Sequence, residues 1–225
     1  MPFRVKIISP LKATEADLAR RQRRYGEHAQ PGTVVTVVNL EEGPAALDTS
    51  GDVLQSSYAI FRQGIATKPE DVDAILIDCV FDPAVVELEE ATGIPTFGPT
   101  RTTLPLVLLV APSFSIVARG PRQCDLLAAT VERYGFGARV KSMRALGLSY
   151  EDAKRPDVFG AAMCEALRQV AEEDRARAVV FGSTTMAITP DMITAARGMP
   201  LFMPGLVALR VMEHLWRDDL WPRRR

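Results

Sequence analysis

The sequence predicts an α/β protein made of two similar lobes, each with a parallel β-sheet flanked by helices. Three observations support this fold class. Short apolar runs alternate with amphipathic segments along the whole chain, which is the pattern of strands and helices in parallel α/β sheets. The two halves of the chain contain similar segments in the same order. At 225 residues, the chain is long enough to form two such lobes.

Each predicted strand is a short apolar run, and most are followed by a helical pattern. The predicted strands cover residues 5–8, 34–39, 74–78, 114–118, 138–143 and 178–181. The predicted helices cover residues 14–24, 52–63, 83–92, 102–111, 122–134, 157–174, 190–196 and 206–220. We expect Thr14 to cap the first helix, because a threonine side chain can accept a hydrogen bond from the first turn. We expect Gly93 to end the third helix.

The two halves repeat four short segments in register. Residues 74–79 (AILIDC) match residues 178–183 (AVVFGS) at an offset of 104, and residues 93–97 (GIPTF) match residues 198–202 (GMPLF) at an offset of 105. Two further pairs are Asp17-Leu18 with Asp125-Leu126, and Arg24-Tyr25-Gly26 with Arg133-Tyr134-Gly135. This repeat indicates a duplicated lobe. We therefore assign residues 1–101 plus the C-terminal helix, 206–225, to lobe 1, and residues 102–205 to lobe 2.

The bulk composition excludes several classes of protein. The net charge is −1 and the pI about 6.2, whereas a nucleic-acid-binding domain needs a basic face. The clustered arginines are interpreted as solvated surface and tail: Arg20, Arg21, Arg23, Arg24 and Arg223–Arg225. The most apolar stretch, residues 104–118, is short for a membrane span and contains Pro105 and Pro112. We expect a cytoplasmic protein that binds neither nucleic acid nor membranes.

The cysteines and histidines predict neither a disulfide framework nor a metal site. The chain has three cysteines and no Cys-x-x-Cys spacing, which argues against disulfides and against structural zinc. Its two histidines, His28 and His214, have no metal-like or triad-like neighbours in the sequence. We therefore expect no metal and no organic cofactor.

Two polar residues follow equivalent strands of the repeat. Ligands of open parallel sheets bind beyond the carboxyl ends of the strands, and the repeat places Cys79 and Ser183 at this point in their lobes. If the lobes face each other across a cleft, these residues lie on opposite walls. We expect four backbone N–H groups to point into this cleft, those of Val80, Phe81, Thr184 and Thr185. Such donors suit a carboxylate or a developing enolate oxygen.

The same two segments resemble the catalytic motifs of hydantoin racemases, in the aspartate/glutamate/hydantoin racemase superfamily. In that family the first motif is close to Cys-x-x-Asp-Pro and the second to Gly-Cys-x-x-Met. Residues 78–83 (DCVFDP) match the first motif and residues 181–187 (FGSTTMA) the second. Supporting matches at residues 95–98, 114–117 and 133–135 extend the resemblance over nearly the whole chain.

The resemblance implies a catalytic role for Cys79 and places Ser183 where the second catalytic cysteine is expected. In the family, one cysteine is a thiolate base and the other a thiol acid, on opposite faces of the stereocentre. A free thiol has a pKa of about 8.5, and a helix N-terminus lowers this value. A serine hydroxyl is a far weaker acid, so Ser183 is a poor base. We expect Asp82 to cap or hold the loop, since Pro83 suits the first position of a helix.

A second departure from the family lies after the first strand. Hydantoin racemases carry Asn-Pro-Asn-Thr there, and the asparagines contact the substrate, whereas this chain has Ser-Pro-Leu-Lys at residues 9–12. The change argues against hydantoin itself as the substrate. Ser9 is the substrate-binding candidate in this segment. Lys12 and Arg101 are alternatives as carboxylate partners, although exposed lysines and arginines are mostly surface residues.

Several functions remain open. The first is a cofactor-independent racemase-like isomerase that transfers a proton next to a carbonyl through Cys79, on an amino-acid or hydantoin-type substrate. The second is a single-cysteine decarboxylase similar to arylmalonate decarboxylases, although these retain the cysteine of the second half. Maleate isomerases are a third relative, but they use both cysteines. The last is a ligand-binding relative that has lost catalysis. The family resemblance also implies a small-molecule carboxylate or hydantoin-type ligand and a homo-oligomer.

Overall fold

The computed structural model describes residues 2–220 and divides the chain into two compact units. Unit 1 comprises Met1–Thr102 and Gly205–Arg225, and unit 2 comprises Thr103–Pro204. The predicted basic tail, Arg223–Arg225, and the end of the predicted lobe 1 segment lie outside the described residues. None of the helices within residues 2–220 has the length and apolarity required to span a membrane.

Unit 1 contains a four-stranded parallel sheet with the strand order β2-β1-β3-β4. The strands are β1 (Phe3–Ile8), β2 (Thr33–Val38), β3 (Ala74–Ile77) and β4 (Thr96–Phe97). The helices are α1 (Glu15–His28), α2 (Ser50–Ile65), α3 (Val85–Thr92) and α4 (Pro99–Val110). Every residue of β3 is buried, as expected for a central strand covered on both faces. The helix α4 continues across the boundary into unit 2.

Unit 2 repeats this arrangement with the strand order β6-β5-β7-β8, again all parallel. The strands are β5 (Phe114–Ala118), β6 (Val140–Ala145), β7 (Val179–Phe181) and β8 (Leu201–Phe202). The helices are α5 (Pro121–Arg133), α6 (Pro156–Gln169), extended by a π-helical turn at Val170–Asp174, and α7 (Pro190–Ala195). The identical strand order confirms the predicted fold class of two α/β lobes with parallel sheets.

The last helix, α8 (Pro204–Arg217), returns to unit 1. Leu209 and Met212 are fully buried on its apolar face. The Trp216 ring stacks on Phe3 of β1, with ring centroids 4.9 Å apart. The buried carboxylate of Glu213 accepts a 2.6 Å hydrogen bond from the backbone N–H of Gln30. These contacts integrate the C-terminal helix into unit 1.

The predicted caps are present, and one predicted helix start is wrong. The Thr14 side chain accepts a hydrogen bond from the backbone of Asp17, and Gly93 ends α3 in a left-handed conformation. The helix α3 begins at Val85 rather than at Pro83, because Asp82 and Ala84 have positive φ angles of 49° and 57°. Left-handed residues interrupt a right-handed helix, so Pro83 lies in a turn.

Candidate active site

Cys79 lies in a tight turn at the carboxyl end of β3. The turn is closed by a hydrogen bond from the backbone N–H of Asp82 to the carbonyl of Cys79, at 3.1 Å. The parallel register places Ile8 beside Ile77, and the N–H of Asp78 donates to the carbonyl of Ile8. The carboxyl ends of β1 and β3 are therefore adjacent, where ligands of parallel sheets bind.

The Cys79 thiol is protonated at neutral pH, because its pKa is raised. The residue is only 4% exposed, and burial raises the pKa of the thiol well above its usual value. A hydrogen bond from the Phe81 backbone lowers this pKa, whereas the charges of Asp82 and Asp78 raise it. The expected lowering by a helix N-terminus is not found, because a turn follows Cys79 and α3 begins six residues later.

A buried ion pair holds Asp78, the residue before Cys79, and was not predicted from the sequence. The guanidinium of Arg21 pairs with the carboxylate of Asp78, and both side chains are nearly inaccessible to solvent. The Tyr25 hydroxyl donates to the same carboxylate at 2.6 Å. The interpretation of Arg21 as solvated surface is therefore wrong. Its signal in the sequence was the spacing of four residues from Tyr25, which puts both on one helix face.

Asp82 is directed at the first turn of α4. Its carboxylate accepts hydrogen bonds from the backbone N–H groups of Thr100 at 3.1 Å and Arg101 at 2.6 Å. The Thr100 hydroxyl donates to the carbonyl of Val80 at 2.6 Å. Asp82 therefore holds the loop as expected, but the helix that it caps is α4 and not α3.

The loop after β1 is ordered by its own polar groups. The fully buried Ser9 hydroxyl bonds the backbone of Leu11, as a donor to its carbonyl at 3.1 Å and an acceptor from its N–H at 3.4 Å. The amide of Asn39 bridges both backbone groups of Ala13. Lys12 is exposed, and the exposed side chain of Arg101 lies 3.9 Å from a carboxylate oxygen of Glu89. Ser9 therefore shapes this loop through its backbone contacts.

Ser183 lies at the corresponding strand end of unit 2. It follows β7 and Gly182, and its half-buried hydroxyl lies 3.2 Å from the Thr185 hydroxyl. The same oxygen accepts a 3.3 Å hydrogen bond from the Thr185 N–H. The neighbouring Thr184 is buried. Ser183 and Thr185 thus bond each other within one turn after β7.

The two histidines bond groups in their own helical segments. The His28 ring bonds the carbonyl of Arg24 at 2.8 Å in α1, and His214 of α8 pairs with Asp218 at 2.8 Å. Among residues 2–220, no group of three His, Cys, Asp or Glu side chains is placed to hold a metal ion.

The chain is similar to known racemases in both sequence and fold. The chain is 29% identical to the hydantoin racemase of Pseudomonas sp. (strain NS671) over 210 residues, covering 92% of this chain and 82% of that protein. The fold matches allantoin racemase from Klebsiella pneumoniae with a TM-score of 0.87 and 21% identity, over 99% and 95% of the two chains.

A more distant fold match is an arylmalonate decarboxylase double mutant, in which a glycine is changed to cysteine and a cysteine to serine. Its TM-score is 0.68 at 13% identity, with coverage of 96% of this chain and 92% of that chain. The family model of the Asp/Glu/hydantoin racemases matches residues 5–212, which is nearly the whole chain. The chain therefore belongs to the Asp/Glu/hydantoin racemase family.

Proposed function

We propose that the chain is a cofactor-independent racemase-type isomerase in which Cys79 transfers a proton at a carbon next to a carbonyl group. The observation that carries this proposal is the nearly buried thiol of Cys79 at the carboxyl end of β3, where ligands of parallel sheets bind. A carbon acid next to a carbonyl releases its proton most readily where the resulting enolate oxygen meets hydrogen-bond donors.

Relatives of the chain support a hydantoin-type substrate. One sequence relative is a hydantoin racemase, and one fold relative is an allantoin racemase. The Leu11 and Lys12 side chains stand where the family carries polar asparagine and threonine, so the proposed substrate differs from hydantoin at the groups facing the loop after β1. The proposed substrate contacts, in side chains or backbone, are those of Ser9, Val80, Phe81, Thr184 and Thr185.

We propose that Cys79 and Ser183 contribute unequally to proton transfer. Cys79 is protonated in its ordinary state, so it is ready to donate a proton to a carbanion, and it acts as a base only in its minor thiolate form. Ser183 has no residue beside it in the turn that can take its proton, because its partner is the Thr185 hydroxyl. Proton transfer on the Ser183 side therefore runs through water, and full inversion is slow compared with exchange on the Cys79 side.

The protonated thiol also favours a second candidate function, single-cysteine decarboxylation. In that reaction the bond to a carboxylate breaks, carbon dioxide leaves, and the electron pair stays on the substrate as an enediolate. The Cys79 thiol then donates its proton to that carbon, and the thiolate recovers a proton from water. This route needs an acid but no base, which matches a thiol whose pKa is raised by burial.

Isotope exchange tests these functions. The protein is incubated in D2O with 5-substituted hydantoins, allantoin, acidic amino acids and arylmalonates, and deuterium uptake, chirality and carbon dioxide release are followed together. We expect exchange on a hydantoin-type substrate that disappears in Cys79→Ala. The matched control is Cys164→Ala, which removes a half-buried thiol of α6 and is expected to leave exchange unchanged.

The Ser183→Cys variant separates the mechanisms. If Ser183 limits the second face, this variant gains inversion without a comparable gain in exchange. Release of carbon dioxide from arylmalonates with no exchange on hydantoins favours the decarboxylase. Absence of every reaction, in the wild type and in Ser183→Cys alike, contradicts both enzyme proposals and leaves a ligand-binding protein.

A further inference from the structure

We propose that Asp82 is a positioning residue for Cys79, and that it holds the turn carrying the thiol against the first turn of α4. This inference rests on the proposed function of Cys79. It assigns to Asp82, the acidic residue of the Cys-x-x-Asp-Pro segment, a role in placing the thiol and no role in transferring protons.

The helix α4 has no N-cap side chain of its own, because glycine precedes it. The first backbone N–H groups of any helix have no partner within it, and an N-cap side chain usually accepts from the second or third of them. The residue before α4 is Gly98, which has no side chain. The carboxylate of Asp82 takes that place from outside, accepting from the N–H groups of Thr100 and Arg101. Its negative charge also suits the positive end of the helix dipole.

Two further hydrogen bonds connect this cap to the thiol. The Asp82 N–H closes the turn on the carbonyl of Cys79, and the Thr100 hydroxyl reaches back to the carbonyl of Val80. The carbonyls of Cys79 and Val80 are thus bonded either to Asp82 itself or to the helix turn that Asp82 caps. A shift of the Asp82 carboxylate therefore moves the segment that carries the sulfur.

The backbone shows that this placement is held under strain. Asp82 has a φ of 49°, a left-handed conformation that residues other than glycine adopt at a cost. Aspartate tolerates this region better than most residues. Ala84, two residues later, is also left-handed. Strain of this kind persists only where surrounding contacts enforce it, and it is concentrated at functional sites.

Gly98 leaves the space that the Asp82 carboxylate occupies. A Cβ added at Gly98 would overlap the Cγ of Asp82 and lie 2.6 Å from one carboxylate oxygen. Any side chain at this position would therefore displace the carboxylate from the α4 amides, without changing the charge of the turn. The pair gives two independent ways to disturb the same contact.

The test is a double-mutant cycle on Asp82→Ala and Gly98→Ala in the full chain, with alkylation of Cys79 by iodoacetamide measured from its peptide. We expect each single variant to increase the alkylation rate about 10-fold, because loosening the turn exposes the thiol. Gly98→Ala in the Asp82→Ala background is expected to add little, since the carboxylate that it displaces is gone. Asp82→Asn keeps the shape and one acceptor oxygen, so its alkylation rate is expected to fall between those of the wild type and Asp82→Ala.

Kinetics give the second measurement. For the exchange reaction, we expect kcat to fall by about 100-fold in Asp82→Ala and in Gly98→Ala, with a smaller change in KM, because misplacing a reacting group costs rate more than binding. The matched control is Asp52→Asn, which weakens the capping box of α2 with Thr49 in the same unit. It is expected to lower thermal stability without changing kcat or Cys79 alkylation.

The proposal is overturned if Gly98→Ala and Asp82→Asn alkylate at the wild-type rate, if the two changes add independently, or if Asp52→Asn loses as much kcat. Should Asp82→Ala fail to fold, Gly98→Ala and Asp82→Asn still decide the question. Alkylation requires no substrate. A wild type without exchange activity would therefore contradict the proposed function of Cys79 while the cycle still reports whether Asp82 places its thiol.

Discussion

At the scale of single residues, the chemistry of unit 1 depends on how Cys79 is surrounded. The thiol is buried, and the charges of Asp78 and Asp82 oppose its ionisation. Arg21 and the Phe81 N–H act in the other direction. Desolvation outweighs these two effects, because a thiolate loses more from leaving water than it regains from one hydrogen bond and a charge already paired with Asp78. The resting residue is therefore an acid.

This raised pKa predicts how stability changes with pH. The folded pKa of Cys79 lies above the unfolded value of about 8.5, so its stabilising contribution is complete below that pH and is lost as the pH rises. Between about pH 7.5 and about pH 9.5, we expect the free energy of unfolding to fall by about 1.4 kcal/mol more in the wild type than in Cys79→Ser. Urea denaturation at both pH values measures this. Equal pH dependence of the two proteins would show that the folded thiol titrates like a free one.

The buried ion pair behind Cys79 makes a second prediction. Removing one partner of a buried pair leaves an uncompensated charge, which typically destabilises by about 3–5 kcal/mol. We expect this loss in Arg21→Met, since the Asp78 carboxylate then keeps the Tyr25 hydroxyl but loses its cation. The control is Arg20→Met on the same helix, whose side chain is 48% exposed in its pair with Asp17. It should cost less than about 1 kcal/mol; similar losses in both variants would contradict the assignment.

At the level of secondary structure, the loops that follow β3 and β7 are stabilised by different residues in the two units. The strands β3 and β7 occupy equivalent positions in sheets of the same order. The residue before Cys79 is Asp78, which forms an ion pair with Arg21. The residue before Ser183 is Gly182, which has no side chain. In unit 2 the chain passes so close to β5 and α5 that no side chain fits there. The loop after β3 in unit 1 is therefore held by an ion pair, whereas the loop after β7 in unit 2 is held by close packing.

Gly182→Ala tests this close packing. The added Cβ would lie 2.7 Å from the Cβ of Ala118, 2.8 Å from Leu127 and 3.0 Å from the Cα of Ala118. Because part of this contact is backbone, we expect a loss of about 1–3 kcal/mol in the free energy of unfolding. Gly160→Ala, inside α6 with open space around it, is expected to stabilise by about 1 kcal/mol. Stabilisation by both variants would exclude the proposed overlap.

At the scale of the whole molecule, the chain leaves unit 1 through α4 and returns to it through α8. The final helix supplies buried apolar side chains and the stacked Trp216 to a unit whose other elements come from the first half of the chain. Unit 1 is thus complete only once α8 has been made.

Truncation after residue 204 is therefore expected to abolish cooperative unfolding of unit 1, as measured by circular dichroism and hydrogen exchange. The point substitution Leu209→Ala should cost about 2–5 kcal/mol, because Leu209 is fully buried in α8. Leu54→Ala, at a side chain 72% exposed on α2, is the matched control and should change stability by less than about 0.5 kcal/mol. Cooperative unfolding of the truncated chain would contradict the placement of α8 in unit 1.

The sequence was sufficient to predict the fold class, the duplication, the caps at Thr14 and Gly93 and the strand ends that carry Cys79 and Ser183. These follow from local patterns: apolar runs, helical spacing and turn residues. It did not predict β4 and β8, because two-residue strands have no periodicity, although both lie inside the repeated Gly-x-Pro-x-Phe segments. The start of α3 was misplaced because a positive φ at Asp82 and Ala84 leaves no mark on residues that also suit a helix.

The electrostatics of the Cys79 turn could not be predicted from local sequence. The burial of Arg21 against Asp78, the capping of α4 by Asp82 and the protonated state of Cys79 all depend on residues far apart in the chain. A pKa is set by desolvation and by charges a few ångströms away. Local sequence therefore places the thiol at the right strand end, while its burial and the charges near it decide whether that thiol is a base or an acid.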